Sequence, residues 1–195
     1  MKTLLALAPS PRRGGNSETL LKEFCRAAED LGWQVELIKV NDLKIRPCQA
    51  CDACARDGHC ILQDDMQTVY PKLISSDALV IASPITFGSM NAQLKTFIDR
   101  FQCWWQAKYN LEQPFVPEEA NRKGFFICVG ALKRKEYCEN ALQIIKVFFH
   151  NINHKLAGNL FFRGYDELGA VQQDPGVLAQ AYQAGKEFIA MVEKG

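Results

Sequence analysis

Short apolar runs alternate with helix-spaced apolar positions along most of the chain, and this alternation limits the possible folds more than any other feature. The runs are Thr3–Ala8, Val35–Val40, Leu79–Ala82, Phe125–Val129 and Asn159–Phe162. Between them, Leu20, Phe24, Ala27, Ala28 and Leu31 lie on one helical face, and Leu94, Phe97, Ile98 and Phe101 on another. Further faces comprise Cys138, Ala141, Leu142, Ile145 and Phe149, then Leu178, Ala181, Tyr182, Phe188, Ile189 and Val192. Asp64-Asp65 can cap one more short helix, which Pro71 must end or kink. Strands alternating with helices predict an α/β fold on a parallel sheet, with right-handed crossovers placing helices on both faces. The expected architecture is a doubly wound five-stranded sheet of order 2-1-3-4-5.

The chain has 195 residues, 48% of them hydrophobic and 23% charged. That suffices for one domain, expected to span residues 1–195, with a core that needs no disulfide staples. A net charge of +1 provides no global field for nucleic acid or an anionic membrane. The apolar stretch Leu4–Ala8 is shorter than a secretory signal needs and runs into Pro9 and Pro11, so it reads as a first buried strand. No run approaches the roughly 20 residues of a membrane span. A cytoplasmic protein is therefore expected, in which thiols stay reduced and clustered cysteines signal metal or redox chemistry. The least regular stretch, about 102–122, is expected to be an excursion within the domain.

Two loops converge on one crevice in this topology. The first, Pro9-Ser10-Pro11-Arg12-Arg13-Gly14-Gly15-Asn16-Ser17, joins strand 1 to a helix. Its glycines allow close backbone approach, the helix start offers free amides, and the serines, Asn16 and an arginine add donors. It is physically a phosphate cradle, although it matches neither the P-loop nor G-x-G-x-x-G; a Gly-rich turn with an ordinary cap is the plainer alternative. The second, Ser83-Pro84-Ile85-Thr86-Phe87-Gly88-Ser89-Met90, follows strand 3. Strands 1 and 3 flank the switch point, where ligands bind at the carboxyl ends. A phosphate end at one loop and a flat, partly apolar end at the other suit a mononucleotide such as FMN, with loop packing the alternative for Phe87.

The strings APSPRRGGNSETLL and DALVIASPITFGSMNAQLKTFIDR resemble the NAD(P)H-dependent FMN reductase family, which has the flavodoxin-like fold. The resemblance covers roughly Lys2 to Phe101. It implies that Ser10, Arg12, Asn16 and Ser17 hold the FMN phosphate. It also implies that Pro84, Ile85, Thr86, Phe87, Gly88 and Ser89 lie along the isoalloxazine ring, and that NADH or NADPH is the electron donor.

After strand 2 come Cys48, Cys51, Cys54 and Cys60, within a cysteine-rich loop at about 47–61. Three cysteines at successive intervals of three let one turn occupy three corners of a cuboidal cluster, and the fourth closes the site. Zinc more often takes two separated C-x2-C pairs. The last gap of five residues, with no proline after Cys60, departs from bacterial ferredoxins. The loop resembles that of the iron-sulfur flavoproteins, a branch of the same superfamily. This implies a 4Fe–4S cluster near FMN and a homo-oligomer, dimer or tetramer. Zinc and unligated thiols remain the other readings.

Cys25, Cys128 and Cys138 read as small buried hydrophobes. Trp104, Trp105 and Tyr109 suit a subunit contact, or a cover for the flavin. His150 and His154 read as capping or surface residues, and Lys133-Arg134-Lys135-Glu136 as a solvated helix approach that can also meet a dinucleotide phosphate. No side chain presents itself as a general acid or base, and hydride transfer to flavin requires none. Three functions are expected in turn: an FMN-dependent oxidoreductase with a cluster, an FMN or quinone reductase without one, and a non-enzymatic electron carrier. The redox partner is a small molecule or a protein.

Overall fold

The computed structural model describes residues 1–194. Five parallel strands form the sheet: β1 (Thr3–Ala8), β2 (Gln34–Lys39), β3 (Ala78–Thr86), β5 (Arg122–Gly130) and β6 (His154–Arg163). Their spatial order is β2-β1-β3-β5-β6, which is the predicted 2-1-3-4-5 when the parallel strands alone are counted. A two-residue strand, β4 (Ser89–Met90), folds back antiparallel on the end of β3. The helices are α1 (Asn16–Asp30), α2 (Met66–Ser75), α3 (Ala92–Asp99), α4 (Gln102–Trp105), α5 (Lys135–Asn151) and α6 (Pro175–Glu193).

The near-continuous apolar strands are explained by the two cores they feed. Leu4, Ala6, Val80, Phe125 and Ile127 pack with α1 and α6 on one face. Their neighbours Leu5, Leu7, Leu79, Ile81 and Phe126 pack with α2, α3 and α5 on the other. Successive side chains point to opposite faces, so a strand covered on both sides must be apolar throughout.

Two parts differ from the sequence-based expectation. The segment after Ser83 is not a loop: β3 continues to Thr86 and turns through Phe87-Gly88 into β4, pairing Thr86 with Ser89 and Ile85 with Met90. Both turn residues have positive φ, +48° at Phe87 and +79° at Gly88, as tight hairpin turns demand. His154 is not a surface residue but opens β6 in a buried position, because the edge strand there is covered by Phe149. His150 lies exposed in the last turn of α5, as expected.

Candidate functional site

The loop after β1 enters α1 through Gly14 and Gly15. Gly14 has φ +65°, a left-handed conformation that favours glycine. Its amide donates to the Glu18 carboxylate at 2.9 Å. Glu18 is buried and also meets the ammonium groups of Lys22 at 2.9 Å and Lys39 at 3.2 Å. Burial alone pushes its carboxyl upward, but these partners more than offset that and hold it down at about 2. The loop is thereby fastened from beneath. No side chain caps the start of α1, so its leading amides stay available to an anion.

Ser10, Arg12, Asn16, Ser17, Pro84, Ile85, Thr86 and Phe87 line one cleft of about 450 Å³, at the carboxyl ends of β1 and β3. Gly88 lies just beyond it, and Ser89 has become part of β4. Of the two adjacent arginines, Arg12 lines the cleft while Arg13 turns away to Asp42. The Asn16 amide is already engaged, donating to the Glu167 carbonyl at 2.9 Å. Phe87 is fully exposed and packs against nothing, which removes loop packing as its reason for being there. The hairpin turn imposes a backbone that is unfavourable for a non-glycine residue, and nothing else in the chain covers the ring.

Sequence reasoning missed a third wall. Gly130 and Ala131 after β5, and Tyr165 and Asp166 after β6, also line the cleft. The available signal was topological, since these segments too leave the carboxyl ends of parallel strands. Beyond Phe87 lies an adjoining cavity of about 510 Å³, which shares Ile85, Phe87, Gly130 and Ala131 with the cleft. Leu132, Arg134 and Tyr137 extend it, so Arg134, alone of the basic run 133–136, faces a ligand-sized space.

The four cysteines after β2 share a second, smaller cavity of about 30 Å³, together with Arg100 and Cys103. The loop around them departs from ordinary backbone geometry, with Ala50 at φ +48°, Asp52 at φ +54° and Gly58 at φ +75°. Gly58 packs against a π-helical turn at Gln106–Asn110, and a Cβ there would stand 2.8 Å from that of Ala107. The excursion at 102–122 thus backs the cysteine loop. Trp104 is buried against Tyr70, Phe101 and Phe115, whereas Trp105 and Tyr109 meet at the surface with their rings tilted by 44°. His59 packs edge-on against Phe115 and does not line the thiol cavity.

Burial raises the Cys54 thiol, and the nearby thiols of Cys60, Cys48 and Cys51 add to that shift. Among the described residues, no three His, Cys, Asp or Glu side chains converge as ligands of a single metal ion. A cuboidal cluster makes a different demand, because each thiolate binds its own iron at a separate corner. An all-sulfur donor set around one cavity, with a buried cation at its wall, fits such a group. Cys25, Cys128 and Cys138 are buried in the cores, as expected, and so is Cys103.

The parallel sheet, its switch-point cleft and an amide-rich loop define a flavodoxin-like protein of the mononucleotide-binding kind. More particularly, the chain belongs to the NADPH-dependent FMN reductase family, whose model matches residues 2–152, and so stands among oxidoreductases. It is similar to an iron-sulfur flavoprotein of Methanosarcina thermophila, with 31% identity over 75% of this chain and 72% of the relative. An iron-sulfur flavoprotein of Archaeoglobus fulgidus is 30% identical over 98% of this chain and 97% of its own length. Among solved structures, an FMN-dependent NADH-azoreductase from Bacillus anthracis in complex with FMN superposes with a TM-score of 0.66. At 16% identity, over 98% of this chain and 99% of that one, it shares the fold. No helix among the described residues is long and apolar enough to cross a membrane.

Proposed function

We propose that this chain is an FMN-dependent oxidoreductase that also carries a 4Fe–4S cluster on Cys48, Cys51, Cys54 and Cys60. The observation that carries this reading is the second cavity: four thiols from one strained loop around a single small space, on a chain that already has a flavin-sized cleft. The similarity to proteins named iron-sulfur flavoproteins supports it. In this reading the first amides of α1 bind the phosphate, with Ser10, Arg12 and Ser17, while Asn16 holds the wall at Glu167 in place. Pro84 to Thr86 and the exposed Phe87 form the side that receives the ring, with Gly88 and Ser89 completing the turn.

FMN exchanges either a hydride or single electrons and a cluster exchanges one at a time, so together they link two-electron donors to one-electron acceptors. The chain contributes binding, orientation and charge; no side chain is assigned as a general acid or base. The adjoining cavity beside Phe87 gives NADH, NADPH or a small acceptor its approach, with Arg134 as the cationic contact for a phosphate. The cysteine cavity shares no lining residue with the cleft, and α3 joins them, running from Asn91 beside the first loop to Arg100 at the thiols. A helix of eight residues is about 12 Å long, which keeps the two sites separate but close. A homo-oligomer in a reducing cytoplasm completes the reading, with exposed Trp105, Tyr109 and Val147 offering the apolar contact.

Preparation without air tests the proposal. About four irons and four sulfides per FMN, with rapid bleaching of the flavin by NADH or NADPH, are expected. Cys54→Ala should lose iron and keep FMN, because separate loops form the two sites. FMN without iron or sulfide, even after reconstitution, would reject the cluster, and zinc in its place would make the loop a structural staple.

A further inference from the structure

Arg100 follows α3 with a side chain that is 0% exposed. Its Nη1 donates to the Arg46 carbonyl at 2.9 Å and pairs with Asp64. Its Nη2 reaches Cys60 Sγ at 3.4 Å. Those contacts use three of the five N–H groups of a guanidinium. Nε is buried with no partner. Asp64, by contrast, has both oxygens engaged: Oδ2 also accepts the Arg46 amide at 3.0 Å, and Oδ1 the Met66 amide at 3.1 Å.

Part of this network is a clamp, since Arg46 precedes Cys48 and Asp64 follows Cys60, so one guanidinium fastens both stems of the cysteine loop. A clamp alone does not explain the remainder. One donor is directed at a sulfur, a weak acceptor when it is a thiol, and another is left unsatisfied where water cannot reach it. Buried donors rarely go unpaired, and one that does calls for an explanation, of which an acceptor outside the protein chain is one. Arg100 lines the same cavity as the four thiols. Filling that cavity with an iron-sulfur group would add sulfur acceptors and negative charge against the guanidinium.

We propose that Arg100 is the cationic donor that receives the cluster: it hydrogen-bonds cluster or ligand sulfur and stabilises the negative charge added on one-electron reduction. It is a positioning and tuning residue, and it sets the cluster potential higher than four thiolates alone would. Net charge and hydrogen bonds to sulfur are the terms through which a protein tunes such potentials. The inference rests on the cluster reading above.

The test compares the wild type with Arg100→Gln, Arg100→Lys and Asp64→Asn, each purified without air. Iron, sulfide and FMN are measured per chain, and the cluster midpoint is taken by redox titration followed by electron paramagnetic resonance. Arg100→Gln should lower the ratio of reduced to oxidised cluster at a fixed potential at least tenfold, which is about 59 mV for one electron. Arg100→Lys keeps the charge without the planar fork and should fall between. Asp64→Asn removes the counter-charge and should move the midpoint the other way. If Arg100→Gln loses its iron, the midpoints of the other two variants decide. Full iron at the wild-type midpoint in Arg100→Gln overturns the inference, as do wild-type midpoints in both other variants. Loss of iron in all three with FMN retained overturns it in favour of a pure clamp. A wild type without iron and sulfide rejects the cluster reading itself, a failure distinguishable from these.

Discussion

Asn91 reaches from the end of the β3–β4 hairpin to the carbonyl of Pro9, at 2.7 Å, and so ties that hairpin to the loop after β1, two of the walls of the cleft. Its carbonyl oxygen accepts the Ser83 hydroxyl at 3.2 Å, and the residue is buried. Asn91→Ala should therefore cost about 1–3 kcal/mol of stability through the polar groups it strands. It should also weaken FMN binding about tenfold, equivalent to 1.4 kcal/mol. Urea unfolding and flavin fluorescence titration measure the two effects. Unchanged flavin affinity would mean that the loops hold their spacing without this link.

Phe87 should separate stability from binding. Its φ of +48° suits glycine, and its ring buries nothing in the protein. Phe87→Gly relieves about 1–2 kcal/mol of left-handed strain, offset by the roughly 0.5–1 kcal/mol that glycine's freedom costs. Unfolding stability should stay level or rise slightly, while flavin affinity falls severalfold. A variant that binds FMN as the parent does would remove Phe87 from the ring-binding side.

Acid should unfold the protein in two overlapping stages. Burial holds His154 down at about 4, below its ordinary 6.5, with its Nδ1 against the Ile152 carbonyl at 3.0 Å. The unfolded chain takes up this proton first, so the stability from a neutral His154 is whole above pH 6.5 and lost as pH falls to about 4. Glu18, held at about 2 against 4.5, contributes stability that is whole above pH 4.5 and lost on the way down to about 2. Each contributes about 3 kcal/mol. Urea midpoints against pH should lose the upper slope in His154→Asn and the lower slope in Glu18→Gln. A wild-type profile flat from pH 6.5 to 4 would contradict the first assignment.

Gly58 tests the cysteine loop without touching a thiol. An alanine there is strained at φ +75° and collides with Ala107. Gly58→Ala should reduce iron per chain severalfold under the cluster reading and leave FMN content unchanged. Equal iron in parent and variant would show that the contact with the π-helical turn does not shape the thiol site.

Much of the fold was legible because its signals are local. Thr3–Ala8 coincides with β1 to the residue, and the helical faces of Leu20, Phe24 and Phe97 all point into the cores. Phe87 and Gly88 were legible as unusual but not as a hairpin, because a two-residue partner strand has too little pattern to detect. His154 misled because burial at a strand edge depends on what α5 lays over it.

The amino-acid order alone determined the alternation of strands and helices, the amide-rich entry to α1 and the four-cysteine spacing. Each is set by backbone geometry and side-chain direction over a few residues. Only the tertiary structure decided that Arg12 rather than Arg13 lines the cleft, and that Asn16 is committed to Glu167, 151 positions away. It also decided that Arg100 is buried over thiols 40 or more residues earlier in the chain. The meeting of distant residues is settled by how crossovers pack helices on a twisted sheet, and no local periodicity records that. A buried arginine has the same letter as an exposed one, and what gives Arg100 its chemistry is the set of partners that folding brings to it.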